Sequence, residues 1–315
     1  MPADPTPHTR TYSMGAVWMA TVLLIAATLG GCTDDSPSPS SGEPLYVTTI
    51  PPFASIVSPV VGERGSVVTL LDAGDSPHTY EPRPSDVQRV SDATALLYGA
   101  ASLDGWAADL PAPRRVALLD LVPTGFQRPA VADIHADPEA SSSADPHFWT
   151  DPLTVRALLP ALADTLCALD AGGCDTYRSN ADALATVLVD LDAELRAQLN
   201  PVRATPVLLS QPFFLYFMSR YGPEVEGIVE PLPANEPSPQ ALQALVRTAR
   251  ETNARVIFTQ QQLPPRAAEA VAEGAGIPVV PLDPLGGASD RLSYADLIRY
   301  NAAAIRNALL DTPPS

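Results

Sequence analysis

Short buried strands alternate with amphipathic helices twice along this chain, and this pattern restricts the possible folds more than any other feature. The predicted strands are Leu45–Ile50, Val67–Leu71, Ala95–Tyr98, Val116–Leu121, Val207–Leu209, Arg255–Thr259 and Ile277–Leu282. Strands that alternate with helices form mainly parallel sheets that are covered on both faces. The sequence therefore predicts an α/β fold in which each of two lobes contains a mainly parallel sheet flanked by helices.

A long helix is predicted between the two series of strands. From Tyr177 to Leu199, leucine and valine recur every three or four residues, which is typical of an amphipathic helix. Such a helix is about 30 Å long and can join two lobes. The other predicted helices are Phe53–Val61, Pro84–Ala93, Val155–Leu169, Pro239–Thr252, Pro265–Ala275 and Leu292–Leu310. We expect an N-terminal lobe at 45–175, a linking helix at 176–200 and a C-terminal lobe at 201–315.

The N-terminus has the pattern of an export signal. Residues 16–29 are apolar apart from two threonines, a run shorter than the about 20 residues that span a bilayer. The following Leu29-Gly30-Gly31-Cys32 resembles the site at which bacterial signal peptidase II cleaves lipoprotein precursors. We predict a lipoprotein signal peptide at 1–31, then a lipidated Cys32 and a disordered polar tether at 32–44; an ordinary signal peptide is the alternative. The expected product is an exported lipoprotein, anchored to a membrane and facing the periplasm or the cell exterior.

Charge and cysteine content restrict the partners and the redox state. The chain has 36 acidic and 19 basic side chains, a formal net charge of −17. This charge repels nucleic-acid phosphates and attracts cations, so no nucleic-acid partner is expected. Cys167 and Cys174 flank a glycine turn, and in an oxidising compartment they are predicted to form a disulfide. Two free buried cysteines are the alternative.

Two histidines lie in turns marked by proline, where ligand-binding side chains are commonly presented. His78 lies in the motif PHTYEP, and His147 lies in the motif HFWTDP. Asp283 follows an apolar strand, at the edge where open α/β sheets bind ligands. Taken singly, each residue is explained more simply as a hydrogen-bonded surface histidine or a turn-capping aspartate.

Taken together, these segments resemble the zinc/manganese solute-binding lipoproteins of ABC importers, the ZnuA/TroA-like family. The resemblance covers residues 45–310 and rests mainly on PHTYEP, HFWTDP and LDPLG in this order. It implies two lobes joined by a long backbone helix, with a divalent metal held between the lobes by His78, His147, a third ligand and Asp283. It also implies an ABC permease as partner, a monomer that is not an enzyme, and cell adhesion as an associated function.

The third ligand departs from the family pattern. The resemblance implies histidine at this position in zinc-type members and glutamate in manganese-type members, whereas this chain has Gln211. A glutamine oxygen can bind a divalent cation but is neutral, so Asp283 supplies the one formal negative charge of the predicted ligand set. Gln260 occupies a position that is usually glutamate in the family. Together with Glu81 and Asp151 it forms the predicted set of residues that support the ligands.

The predicted ligands, and their differences from the family pattern, allow several interpretations of what the site binds. Two imidazoles, one carboxylate and one amide oxygen favour Zn²⁺, with Mn²⁺ or Fe²⁺ as alternatives. A neighbour such as Glu230 or Glu236 is a candidate source of the missing negative charge. A degenerate metal site, and a lipoprotein that binds an iron chelate or a corrinoid, are alternatives. A zinc hydrolase is less favoured because the chain has no HExxH or GxSxG motif. The predicted function is capture of the metal between the lobes and delivery to the permease.

Overall fold

The computed structural model describes residues 42–130, 143–231 and 237–311 of the chain. Within these ranges eight strands form two four-stranded sheets, and every strand pairs in parallel with its neighbours. The predicted α/β class with two parallel sheets is therefore confirmed. The predicted signal peptide and Cys32 lie outside the described residues, and the predicted tether is described only from residue 42.

The first sheet is built from the N-terminal part of the chain. Its strands are β1 (Leu45–Thr48), β2 (Ser66–Thr69), β3 (Ala95–Tyr98) and β4 (Arg115–Ala117), in the order β2-β1-β3-β4. The connecting helices are α1 (Pro51–Val61), α2 (Pro84–Ser91) and the short α3 (Ala101–Asp104). Val47, Leu96 and Leu97 are fully buried, as expected for strands in a sheet with both faces covered.

The second sheet is built from the C-terminal part of the chain. Its strands are β5 (Pro206–Leu209), β6 (Glu224–Ile228), β7 (Ile257–Gln260) and β8 (Val279–Leu282), in the order β6-β5-β7-β8. Its helices are α6 (Leu215–Tyr221), α7 (Pro239–Glu251), α8 (Arg266–Ala275) and α9 (Tyr294–Asp311). Because all four strands are parallel, their carboxyl ends and the following loops lie at one edge of the sheet.

Two long helices, α4 (Pro152–Leu169) and α5 (Cys174–Leu199), lie between the two sheets in the chain. By length and composition α4 is apolar enough to cross a membrane, but half of it is buried within the protein, where it packs against α5. Helix α5 also contacts α1 and α9, so it reaches elements of both lobes, as the long linking helix was expected to do. The domain boundaries at residues 175 and 200 stay a prediction.

The turn between α4 and α5 brings Cys167 and Cys174 together. Their Cα atoms are 4.7 Å apart, a separation that a disulfide can span; the disulfide itself stays a prediction. Beside this turn, Arg64 donates two hydrogen bonds to Asp170, from Nε at 2.7 Å and from Nη2 at 2.9 Å. These hydrogen bonds lower the pKa of Asp170 to about 2. The turn is therefore fixed to the N-terminal lobe by a charged pair.

The structure differs from the predicted elements in three places: one predicted strand is shorter, and one strand and one helix were not predicted. The strand predicted at Val116–Leu121 ends at Ala117 and continues as a 3₁₀ turn, because β4 pairs only with the short β3. Strand β6 was not predicted, since its sequence EVEGI contains two glutamates and a glycine. It lies at the edge of the sheet, where one side of a strand can carry charges. Helix α6 was also not predicted as a helix.

Candidate metal centre

His78 lies in the loop between β2 and α2, and two aromatic residues hold this loop. Trp106 donates a hydrogen bond from Nε1 to the backbone oxygen of Pro77 at 2.8 Å. Tyr80 packs on Trp106, with ring centroids 4.9 Å apart. Burial, with a smaller contribution from nearby His147, lowers the pKa of His78 to about 4. The imidazole is therefore neutral at pH 7, as a metal ligand must be.

His147 lies immediately before the 3₁₀ turn that leads into α4, and it is only 8% exposed. Its Nδ1 lies 2.7 Å from Oδ1 of Asp145, and its backbone N–H donates to the same oxygen at 3.0 Å. A carboxylate beside Nδ1 favours the tautomer that carries hydrogen on Nδ1, which leaves Nε2 free to bind a metal. Asp145 is thus a supporting residue that the sequence analysis missed. Its position two residues before His147, in an Asp-Pro-His turn, was the available signal.

The structure brings the two predicted histidine ligands together. The ring centroids of His78 and His147 are 6.0 Å apart, and the ring planes are inclined by 59°. Since Zn–N bonds are about 2.0–2.1 Å long, two imidazoles on one tetrahedral zinc ion have centroids roughly 5 Å apart. A small rearrangement of either loop would therefore let both rings share one ion.

Polar side chains follow three neighbouring strands of the second sheet. Gln211 comes shortly after β5, Gln260 ends β7, and Asp283 comes directly after β8. Gln260 donates a hydrogen bond from Nε2 to Oε1 of Gln211. An amide oxygen has two lone pairs, so Gln211 retains one for a further partner such as a metal ion.

Asp283 is only 2% exposed, and both of its carboxylate oxygens already accept hydrogen bonds. Oδ1 accepts three, each at 3.0 Å, from Nε2 of Gln262 and from the backbone N–H groups of Leu285 and Gly286. Oδ2 accepts one from Nε of Arg291 at 2.5 Å. The sequence analysis identified neither Gln262 nor Arg291, because their contacts depend on the path of loops that have no periodic pattern.

The loops that carry His147 and Asp283 are joined at the boundary between the lobes. Trp149 donates a hydrogen bond from Nε1 to the backbone oxygen of Pro284 at 2.8 Å, and the Tyr294 hydroxyl donates to the backbone oxygen of Trp149 at 2.8 Å. These residues are buried, so the bonds are protected from water. The N-terminal and C-terminal parts of the candidate site are therefore linked by two buried hydrogen bonds.

The C-terminal side of the boundary is held by α9. Asn301 is fully buried and binds the main chain of Asp283 on both sides: its Oδ1 accepts from the Asp283 N–H at 2.8 Å, and its Nδ2 donates to the Asp283 oxygen at 2.7 Å. An amide that satisfies both backbone groups of one residue fixes the position of its main chain. The position of the Asp283 backbone therefore does not depend on which partner its side chain contacts.

Two buried oxygen atoms beside the candidate ligands lack a hydrogen-bond partner within the described residues. They are Oδ2 of Asp145, next to His147, and Oε1 of Gln262, next to Asp283. Buried acceptors without a donor are rare in folded proteins, because their desolvation is not compensated. Unpaired acceptors on both sides of the lobe boundary suit a region that receives a cation.

The predicted ligands do not form one cluster in this structure. His78 contacts His147, Gln211 pairs with Gln260, and Asp283 pairs with Arg291. In the part of the chain that the structure describes, no group of three His, Cys, Asp or Glu side chains is placed to hold a metal ion. The loops that carry His147 and Asp283 are joined, but the four predicted ligands are not assembled around a common centre.

Two of the residues predicted to support the ligands have other surroundings. Glu81 is exposed. Asp151 is buried and caps α4, since its side chain accepts hydrogen bonds from the Leu153 N–H at 3.1 Å and from the Thr154 hydroxyl at 2.7 Å. It also forms an ion pair with Arg220 of α6, at 2.6 Å. Asp151 therefore stabilises the start of α4 and its contact with the C-terminal lobe.

Two parallel-sheet lobes, with imidazoles on one side of their boundary and a carboxylate on the other, define the class of two-lobed receptors for cationic solutes. The family described as "ZnuA: Zinc-uptake complex component A periplasmic" matches residues 47–308. This match covers most of the chain, and the protein belongs to this family. The family predicted from the sequence motifs is therefore confirmed.

Individual relatives are zinc and manganese proteins. The high-affinity zinc uptake system protein ZnuA of Paracoccus denitrificans is 31% identical over 322 residues, covering 91% of this chain and 97% of that protein. The manganese-binding lipoprotein MntA of Halalkalibacterium halodurans is 28% identical over 289 residues, covering 89% and 94%.

Solved structures agree with this fold. A crystal structure of ZnuA is 26% identical, with a TM-score of 0.72, and covers 85% of this chain and 99% of that chain. The laminin-binding protein Lmb of Streptococcus agalactiae, described as a bifunctional protein with adhesin and metal transporting activity, is 25% identical. Its TM-score is 0.70, and the match covers 84% and 99%. The predicted backbone-helix receptor fold is thus confirmed.

Proposed function

We propose that this protein is the extracytoplasmic receptor of an ABC importer, and that it captures a divalent transition metal between its lobes and delivers it to the permease. One observation carries the proposal. Two histidines from separate loops of the N-terminal lobe lie 6.0 Å apart, ring to ring, at the boundary where the Asp283 loop of the other lobe is attached. The role is that of a binding protein, and no chemical reaction is proposed.

The proposed ligands are His78, His147, Gln211 and Asp283. Zinc is the proposed cargo, with manganese next and ferrous iron third, because a mixed set of nitrogen and oxygen donors suits these ions and zinc has the higher intrinsic affinity. The zinc and manganese relatives support the same order. Loading requires Asp283 to exchange its contact with Arg291 for a contact with the ion, and requires the four ligands to converge.

The proposed location and partners follow from the N-terminal sequence and from the family. Cys32 is the proposed lipidation site, which would keep the receptor at the membrane that contains its permease. The relative MntA is named a lipoprotein, which supports this assignment. The excess of 36 acidic over 19 basic side chains attracts cations to the receptor. We propose that the receptor acts as a monomer.

Zinc is expected to raise the melting temperature of the soluble protein that starts at Thr33, after treatment with a chelator and dialysis. A ligand at a hundred times its Kd adds about 2.7 kcal/mol to the free energy of unfolding, which corresponds to a rise of roughly 5 °C for a protein of this size. Calorimetry with zinc, manganese and ferrous iron in turn would rank the ions. If no ion changes the melting temperature, the proposal is wrong, and a degenerate site or a larger ligand is favoured.

Changing Gln211→Glu is expected to tighten zinc binding by ~10-fold, because a carboxylate adds negative charge and is a stronger donor than an amide. Gln260 can still donate its hydrogen bond to the new carboxylate. The change Gln261→Glu adds the same charge at an exposed neighbouring position and serves as the control. Titration against a chromophoric chelator would give both affinities. An equal effect of the two changes would mean that Gln211 acts through general charge and is not a ligand.

A further inference from the structure

Arg291 donates a hydrogen bond to Oδ2 of Asp283, which has no other donor among the residues that the structure describes. Oδ1 of Asp283 accepts from three N–H donors, whereas within the same residues Oδ2 accepts only from Nε of Arg291, at 2.5 Å. A carboxylate oxygen has two lone pairs, so Oδ2 is the atom through which Asp283 can bind an incoming ion. The guanidinium group therefore contacts Oδ2, the oxygen atom through which Asp283 would bind the metal in the proposed site.

Arg291 also has partners that do not depend on Asp283. Its Nη1 lies 2.7 Å from Oδ1 of Asp290, a carboxylate whose side chain is 61% exposed. Its guanidinium carbon lies 4.2 Å from the centroid of the Tyr300 ring, a distance typical of a cation–π contact. When Asp283 binds another cation, Arg291 can therefore retain two favourable contacts and needs no large movement.

The charges of the site explain why the two cations would exclude each other. His78, His147 and Gln211 are neutral ligands, and the single negative charge of Asp283 is compensated by Arg291. A divalent ion on the same carboxylate would meet the guanidinium charge in a poorly solvated region, where repulsion between like charges is strong. Conversely, a buried carboxylate that loses its metal needs another cation, because an uncompensated buried charge is strongly unfavourable.

We infer that Arg291 and the metal exchange at Oδ2 of Asp283, so that Arg291 weakens metal binding and promotes release. This inference rests on the proposed function and adds an affinity-determining residue to it. When the metal binds, the guanidinium group leaves Oδ2 of Asp283 and keeps its contacts with Asp290 and Tyr300. When the metal leaves for the permease, the guanidinium group returns to Asp283. Arg291 therefore lowers the free energy of the metal-free protein and not that of the loaded protein.

The change Arg291→Gln tests the exchange through two readouts. It is expected to lower the Kd for zinc by at least ~10-fold, because the metal-free state loses its compensating cation while the loaded state loses little. It is also expected to lower the melting temperature of the metal-free protein and to leave that of the zinc-loaded protein almost unchanged. Arg291→Lys retains the positive charge and is expected to keep a Kd close to that of the wild type.

Matched variants separate the exchange from a general loss of stability. Arg64→Gln removes a more exposed arginine–aspartate pair, located at the α4–α5 turn. It is expected to lower the melting temperatures of both forms equally and to leave the zinc Kd unchanged. Arg291→Met is a second neutral variant that retains an apolar stem against Tyr300, in case the glutamine variant folds poorly. Circular dichroism of each metal-free variant would verify folding.

Each outcome of the zinc titration has a defined meaning. An unchanged or higher Kd in both neutral variants overturns the inference, and would mean that Arg291 supports Asp283 while the metal is bound. Zinc binding by both neutral variants that is at least ~10-fold tighter than binding by the wild type supports the inference. If wild type and variants all fail to bind zinc, manganese or ferrous iron, the proposed function is wrong and the inference falls with it.

Discussion

Replacing His78 with alanine is expected to weaken zinc binding by at least ~100-fold, because the change removes one of the two imidazole donors. The fold of the metal-free protein is expected to persist, since His78 is only partly buried and lies in a loop that Trp106 and Tyr80 hold independently. Competition titration with a chelator of known affinity would give the ratio of the two Kd values.

The matched control for this change is His135→Ala. His135 is a histidine of the same chain that is not in the predicted ligand set, and its replacement is expected to leave the Kd unchanged. Equal losses in both variants would mean that the histidines act through general charge or local structure. Unchanged binding in His78→Ala would exclude His78 as a ligand.

The lowered pKa of His78 adds a pH dependence to the same comparison. An ordinary histidine has a pKa of about 6.5, whereas in the folded protein the pKa of His78 is about 4. Between these two pH values the unfolded chain binds more protons, so protonation favours unfolding. The metal-free wild type should therefore lose stability relative to His78→Ala as the pH falls from about 6.5 to about 4.

The sequence predicted the regular elements where a local pattern was strong. β3 has the predicted bounds, and the long helix α5 starts three residues before its predicted start at Tyr177. β6 was missed because its two glutamates and its glycine hide the pattern of a buried strand. β4 ended early because its length depends on the partner strand, a property that no local pattern encodes.

The candidate site was predictable only in part. Proline-marked turns and a strand end made His78, His147 and Asp283 candidates, and the family resemblance identified them as predicted ligands. The pairing of Asp283 with Arg291 could not be predicted, because these residues are separated by a loop whose path is set by tertiary packing. All 19 basic side chains are arginines. The composition therefore did not indicate which arginine would contact Asp283.

The proposed site and the inferred role of Arg291 together suggest a receptor balanced between holding and releasing its cargo. In the proposed site Gln211 supplies a neutral oxygen in place of a carboxylate or imidazole, and Arg291 is inferred to compete with the metal at Asp283. On this proposal both features weaken the metal-bound state relative to the free state. A receptor that hands its ion to a permease gains from such a balance, because an ion bound too tightly would not be released.

The change Trp149→Ala is expected to have the largest effect on stability. Trp149 is 1% exposed and packs edge-on against Phe53, with ring centroids 5.4 Å apart. Replacing a fully buried tryptophan by alanine costs about 3–5 kcal/mol, since it leaves a large cavity. For a protein of this size, the melting temperature should fall by roughly 10 °C. Phe217→Ala empties a fully buried position of α6 and leaves the hydrogen bond of Trp149 intact, so it is the control for stability alone.

The conservative change Trp149→Phe separates the role of Trp149 in the site from its role in the core. It retains most of the aromatic volume but removes the hydrogen bond to the backbone oxygen of Pro284, which joins the His147 and Asp283 loops across the lobe boundary. We expect zinc binding to weaken by ~10-fold, an effect typical of residues that orient metal ligands. The stability loss should be only about 1–3 kcal/mol, the cost of one unpaired buried acceptor. Calorimetry and zinc titration on the same samples would measure both quantities. If Trp149→Phe binds zinc as tightly as the wild type, the bond to Pro284 stabilises the fold without positioning the ligands.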